Sequence, residues 1–401
     1  MNVLMAWELG AGLGHAIPLA AIGNCLEGSG HAVHYALRNT DIARIAGISD
    51  FSRVVSAPAM ILNRNHRGPA YDCADMLLIR GYENNQKLDR VVASWMNIFE
   101  RFSIDQLVAD HAPTARLAAY VAGIDSHAIG NGFAIPPLTK PLRPFRNAQW
   151  PHPEKQANLE RRLNQAVNEF LQRHGMPEVV RAVDIFYGGS SFLLTFEELD
   201  NYPGRGEAQY FGPPYVKERM SPPEWPGSST PTQKAFVYLY PDAAALPKIL
   251  ASLEKLEVST LVYLPAQHQA KFRQFVNPKM KFTDQPFGLY APAAECNLMI
   301  CQGGGNTMAT ALLQGVPVMS FPRHIEALMS SERLQALGLG LVMSGNADEV
   351  TIRQKISKCL EDDEMKSTAR SFAKKYSSFN GSAVGKVVAE QIINSYRNDH
   401  S

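Results

Sequence analysis

Residues 298–327 read LMICQGGGNTMATALLQGVPVMSFPRHIEA. An apolar run, Leu298 to Cys301, breaks into Gly303, Gly304 and Gly305. Met308, Ala309, Ala311, Leu312 and Leu313 then recur at helical spacing until Gly315, and Val316 to Phe321 opens a further strand. The order strand, glycine turn, helix, strand is that of a parallel α/β layer. Glycines at such a turn let a ligand approach the backbone. The unpaired N–H groups of the helix start, with the helix dipole behind them, favour an anion, and a diphosphate fits that description. A tight turn with no ligand has the same glycines, so the loop alone leaves both readings open.

The rest of the chain narrows the choice. At 401 residues it is long for one core and typical of two. The 45% apolar content is that of an ordinary globular protein, and a net charge of +1 gives no bulk attraction to nucleic acid. No apolar run reaches the ~20 residues of a membrane helix, so no transmembrane segment is expected. The first residues, Met1 to Trp7, enter a strand without a basic leader. Five scattered cysteines, none in a CxxC pair or a zinc-type cluster, suggest reduced thiols and a cytoplasmic protein, with no metal site.

A second glycine turn lies at the start. Val3–Trp7 reads as a strand, Gly10, Gly12 and Gly14 follow, and Pro18 sits in the first turn of a helix that carries Ile17, Leu19, Ile22 and Leu26. Gly28 and Gly30 end that helix, and His31–Leu37 reads as the second strand. A dinucleotide fingerprint would place a third glycine where His15 stands, and an acid after the second strand, where Arg38-Asn39 stands. NAD and FAD binding are disfavoured. Residues 41–100 look irregular up to a helix with Leu88, Val92, Trp95 and Phe99. Ile104–Ala109 then forms a strand that ends in Asp110-His111, and in an open parallel sheet that end faces the ligand crevice. Residues 201–234, rich in proline, glycine and serine, separate this half from a second α/β pattern that starts at Ala235.

In this order the motifs resemble the GT-B fold nucleotide-sugar glycosyltransferases, the superfamily of UDP-glycosyltransferases and bacterial macrolide and rhamnosyl transferases. Gly14-His15-Ala16-Ile17-Pro18 looks like the family's G-H-x-x-P, and Leu107–Asp110 like its mid-domain strand ending in Asp. Phe211-Gly212-Pro213 is similar to the V-G-P before the linker. Gln302–Thr307 falls on H-G-G-x-G-T, Gly315-Val316-Pro317 on G-V-P, and Pro322 to Glu326 on P-x-x-x-D/E. The chain departs from the pattern at three donor contacts. Gln302 stands for a histidine, Thr310 for an acid and Ala327 for a glutamine.

The resemblance implies two Rossmann-like domains facing across a cleft. The expected division is 1–215 for the acceptor, 216–384 for the nucleotide sugar, and 385–401 as a closing helix that returns to the N-terminal domain. It implies inversion at the anomeric carbon without metal or cofactor. The donor would be a UDP- or dTDP-linked sugar and the acceptor a small-molecule or lipid-like hydroxyl. His15, an imidazole with an ordinary pKa near ~6.5, would be the base. Asp110 would hold its far nitrogen, with His111 as a further histidine beside it. Gln302, Gly303, Gly304, Gly305, Asn306 and Thr307 would hold the diphosphate, Glu326 the sugar hydroxyls, and Phe287 the base, while Gly12 and Gly14 would let the N-terminal loop close near the sugar of the donor. Arg323 and His324 share the Glu326 loop. The altered Gln302, Thr310 and Ala327 also allow a second expectation, a binding or partner protein of the same shape that has lost turnover.

Overall fold

The computed structural model describes residues 1–60, 68–146, 152–214, 224–227, 233–284 and 289–399. They form two compact units. One comprises Met1–Phe196, Gly204–Val216 and Asn380–Ser401, and the other Glu197–Pro203 and Lys217–Phe379.

Each unit is built on a parallel six-stranded sheet. In the first, β1 (Asn2–Trp7), β2 (Ala32–Leu37), β3 (Val54–Ser56), β4 (Gln106–Asp110), β5 (Asp125–Gly130) and β6 (Ser191–Leu193) lie in the order β3-β2-β1-β4-β5-β6. In the second, β7 (Lys234–Tyr238), β8 (Ser259–Tyr263), β9 (Met280–Thr283), β10 (Leu298–Cys301), β11 (Val318–Ser320) and β12 (Gly340–Val342) lie in the order β12-β11-β10-β7-β8-β9. Every pairing between these strands is parallel. Parallel strands need crossovers, and the helices that supply them cover both faces of each sheet. That is why β4, β10 and β11 are apolar-rich and buried along their whole length.

The strand orders reverse at one point in each sheet. In the first unit the chain runs from β1 out to β3 and returns on the other side of β1 as β4. In the second it runs from β7 out to β9 and returns beside β7 as β10. The loops at the carboxyl ends of these strand pairs splay apart there, and such switch points are where open α/β sheets bind ligands. The β1–β4 register pairs Trp7 with Asp110, so both strands end side by side. The Gly turn of residues 303–305 follows β10 directly.

The irregular reading of residues 41–100 needs correction. A three-residue edge strand, β3, lies there, with short helices at Ala43–Ala46 and Cys73–Leu78 before the long Asn85–Phe102 helix. The closing helix Gly381–Asp399 packs on Leu13–Gly28 in the first unit. A Cβ on Gly385 would come within 2.6 Å of the Ala21 carbonyl, so the two backbones approach closely there. Among the described residues no helix is long and apolar enough to cross a membrane.

Candidate active site

His15 is the third residue of the Leu13–Gly28 helix, and Asp110 is the last of β4. The first-unit switch point brings them together: His15 Nδ1 lies 3.0 Å from Asp110 Oδ1. The two side chains are 11% and 3% exposed, so the pair is shielded from water. Trp7, at the end of β1, stacks on the imidazole with centroids 5.2 Å apart and planes 17° apart. The indole is fixed by its own N–H, which donates to the Leu9 carbonyl at 2.6 Å. On the imidazole's Nε2 side stands Gly10, at φ 93, where any Cβ would overlap that nitrogen. The ring is therefore held by a hydrogen bond, a stacking partner and a glycine that makes room for it.

The same unit holds a buried carboxylate that sequence reading missed. Glu8 is wholly buried. Its Oε2 accepts from the Thr114 N–H at 2.8 Å, and its Oε1 accepts from the Thr114 hydroxyl at 2.7 Å. Thr114 Oγ1 in turn lies 2.6 Å from the Tyr82 hydroxyl. Thr114 opens the Pro113–Ala122 helix, so Glu8 caps from a distance the helix that follows Asp110 and His111. Burial pushes its carboxyl up to about 7, against the lowering effect of the Thr114 hydrogen bonds. No motif marks Glu8. The one available signal was an acid directly after the apolar run Val3–Trp7.

In the second unit the Gly305–Leu313 helix starts at N-cap Gly304 with no side-chain cap. Its first N–H groups thus point out of the β10 turn unpaired by any side chain. Gly303, at φ 82, is required by the backbone, and a Cβ there would lie 2.5 Å from Ser331 Oγ. Gly305 differs: a Cβ there would meet no protein atom. Gln302, Asn306 and Thr307 flank the same turn. Burial raises the Cys301 thiol to about 12, so it is no nucleophile at neutral pH.

Glu326 sits in the first turn of the Ile325–Ala336 helix. Asn201 Nδ2 donates to the Glu326 carbonyl at 3.2 Å and to Ser330 Oγ at 2.9 Å, pinning that helix start. His324 caps the helix by accepting from the Ala327 N–H at 3.4 Å. Arg323 makes a two-pronged ion pair with Asp242, at 2.6 and 3.2 Å, and lies over the Tyr240 ring. Thr310 donates its hydroxyl to the Asn306 carbonyl inside the helix, at 2.8 Å. Gly14 is exposed in the first turn of the Leu13–Gly28 helix. Phe287 lies outside the described residues. Among those residues no group of three or more His, Cys, Asp or Glu could hold a metal ion.

Residues 247–386 match the family described as erythromycin biosynthesis protein CIII-like, C-terminal domain. A zeaxanthin glucosyltransferase of Pseudescherichia vulneris is 24% identical over 319 residues, 74% of this chain and 76% of that protein. A PGL/p-HBAD biosynthesis glycosyltransferase of Mycobacterium tuberculosis is 22% identical over 316 residues, 74% of this chain and 72% of that one. Among solved structures, the glycotransferase of kitacinnamycin superposes with a TM-score of 0.72 at 15% identity, covering 98% of both chains. A spinosyn rhamnosyltransferase complexed with thymidine diphosphate gives 0.66 at 16%, covering 97% of this chain and 100% of the other. The fold is GT-B. The curated relatives that cover most of the chain are glycosyltransferases, and the chain is an enzyme of that class.

Proposed function

We propose that the enzyme is an inverting, metal-independent glycosyltransferase that needs no cofactor. It moves a sugar from a nucleoside-diphosphate sugar to the hydroxyl of a small or lipid-like acceptor. His15 takes the acceptor proton as the oxygen attacks the anomeric carbon from the side opposite the leaving group. Asp110 sets the tautomer through Nδ1 and balances the imidazolium that forms. The bond from the anomeric carbon to the phosphate oxygen breaks, and its electron pair leaves with the diphosphate. The N–H groups after Gly304, with Asn306 and Thr307, stabilise that charge as it grows. Glu326 accepts from the sugar hydroxyls. The observation that carries this reading is the 3.0 Å contact of His15 with Asp110 at a sheet switch point. The thymidine diphosphate bound by the spinosyn rhamnosyltransferase favours a dTDP-sugar, with UDP-sugars next.

A second reading has its own support. Thr310 gives its hydroxyl proton to its own helix, and Ala327 is buried and has no polar side-chain group, so neither supplies the charge or amide of the family pattern. A protein that binds the nucleotide without turnover fits those two positions. Incubating the purified protein with panels of dTDP- and UDP-sugars, and measuring free nucleoside diphosphate, separates the two. Release that disappears in His15→Ala while nucleotide binding persists supports the transferase. Nucleotide binding with no release from any sugar, with or without acceptor, supports the binding protein.

A further inference from the structure

The first unit holds a cavity of about 570 Å³ that the reaction above does not use. Ser126 and His127, near the start of β5, and Ser190, just before β6, line it. It therefore lies at the amino ends of these strands. Asp110 is paired with Ile129, toward the other end of β5, where a parallel sheet has its ligand crevice. Cavity and catalytic pair thus occupy opposite ends of the sheet. Gly189 and Ser190 in the cavity wall are exposed, so it opens to solvent. Its volume is that of a small-molecule site.

Arg116, on the Pro113–Ala122 helix, forms part of the wall and is 5% exposed. Its Nε donates to Ser126 Oγ at 3.2 Å, Nη1 to the Phe186 carbonyl at 3.0 Å, and Nη2 to the Gly188 carbonyl at 2.6 Å. All three acceptors are neutral, and no carboxylate among the described residues pairs with the guanidinium. Burial lowers its pKa to about 10, so it is still a cation at neutral pH. A buried cation ordinarily has a counter-ion. Arg181, the other arginine of the wall, has two: Glu160 at 2.6 Å and Asp184 at 3.6 Å. Arg116 also keeps one N–H on each of Nη1 and Nη2 beyond those three bonds. A Cβ built on the exposed Gly189 would meet only Arg116 Nη2, at 3.7 Å, so open space adjoins that nitrogen. The His127 ring has partners on both nitrogens, Ser190 Oγ at 2.9 Å and Gln106 Oε1 at 3.2 Å. The guanidinium is left as the charge without a partner.

We propose that the cavity binds a small organic monocarboxylate with an apolar body, its carboxylate on Arg116 and its body against Ile124, Val179 and Ile185. One uncompensated cation matches one negative charge. The exposed Asp125 and Asp184 at the rim oppose a second, which disfavours a phosphate. This site stands independently of the proposed reaction.

The test is calorimetry on the full chain at about pH 7.5 with 2-naphthoate, the neutral 2-naphthamide, and 2-naphthyl phosphate, which carries nearly two charges there. 2-Naphthoate should bind at millimolar concentration or below, and each of the other two about tenfold more weakly or worse. Arg116→Gln keeps a donor for the backbone carbonyls and removes the charge, and should weaken 2-naphthoate by about tenfold or more. Ser190→Asp sets a carboxylate in the wall from an exposed position and leaves Arg116 intact. It should have the same effect, and it carries the comparison if a melting curve shows that the Gln variant does not fold. Thymidine diphosphate should not displace 2-naphthoate, and His15→Ala should bind it as the wild type does. No binding of 2-naphthoate, equal binding of the amide, tighter binding of the phosphate, or affinity that survives both wall substitutions overturns the proposal. Displacement by thymidine diphosphate or loss of binding in His15→Ala would put the probe in the catalytic crevice and overturn it too.

Discussion

His15 Nδ1 and Asp110 Oδ1 stand 3.0 Å apart although 95 residues separate them in the chain. Their meeting follows from the strand order, because β1 and β4 are neighbours only after the chain has gone out to β3 and returned. Asp110→Asn keeps the shape of the side chain and removes its charge. An amide neither fixes the imidazole tautomer nor balances the imidazolium, so kcat should fall by about 10²–10⁴. The donor KM should hardly move, since Asp110 lies in the unit that lacks the glycine cradle. Initial rates with a saturating donor, with a melting curve to confirm the fold, decide this. A full rate in Asp110→Asn would reduce the contact to a structural one.

Gly10 holds the same ring from the opposite side. Its φ of 93 is a conformation L-residues rarely adopt, and its missing Cβ is where His15 Nε2 lies. Gly10→Ala should therefore cost roughly 1–3 kcal/mol of stability and turn the imidazole away from its stacking partner Trp7. Urea denaturation gives the first effect and loss of transfer the second. Gly14→Ala serves as a control, because a Cβ there meets no protein atom. Its stability should change by less than about 1 kcal/mol. Weakened ligand binding in that variant would mark close approach of a ligand to the backbone.

The turn after β10 offers a parallel test. A Cβ at Gly303 would lie 2.5 Å from Ser331 Oγ and 3.2 Å from the Ala327 carbonyl. Gly303→Ala should displace the turn and reduce thymidine diphosphate affinity at least tenfold by calorimetry. Adding Ser331→Ala removes the nearer obstacle while leaving the strained φ of 82. The double variant should recover part of the lost thermal stability and only part of the affinity. Full recovery of both would mean that the backbone conformation is not what the cradle depends on.

Much of this architecture was legible in the chain, because buried parallel strands are short apolar runs that stop at glycine. β1 and β10 read that way, β4 stops instead at Asp110-His111 and β7 at Tyr240-Pro241, and each of the four ends at a switch point. Strands without that contrast escaped. β3 is three residues long and half-exposed at a sheet edge, so Val54-Val55-Ser56 gives no periodic signal. At the site, Gly-His and the strand ending in Asp110 drew attention to two residues that the fold does bring together. Glu8 and Trp7 could not be found in this way. The surroundings of Glu8 come from Thr114 and Tyr82, residues remote from it in sequence, and the stacking of Trp7 on His15 is set by how the glycine turn between them folds back, which no periodic pattern records.

Glu8 makes a prediction about pH. Its carboxyl titrates at about 7 in the fold against an ordinary value of 4.5, chiefly because it is buried. The folded state keeps its proton where the unfolded chain has lost it. This contribution to stability is complete below about 4.5, declines as pH rises, and is gone above about 7. A gap of that size corresponds to about 3 kcal/mol. Glu8→Gln cannot titrate, yet it keeps an oxygen for Thr114. The stability of the wild type minus that of the variant should therefore shrink from about pH 5 to about pH 8, by up to roughly 3 kcal/mol. Urea midpoints followed by tryptophan fluorescence would record it. A difference that stays constant, or grows with pH, would mean that Glu8 is ionised in the fold and that its hydrogen bonds outweigh its burial.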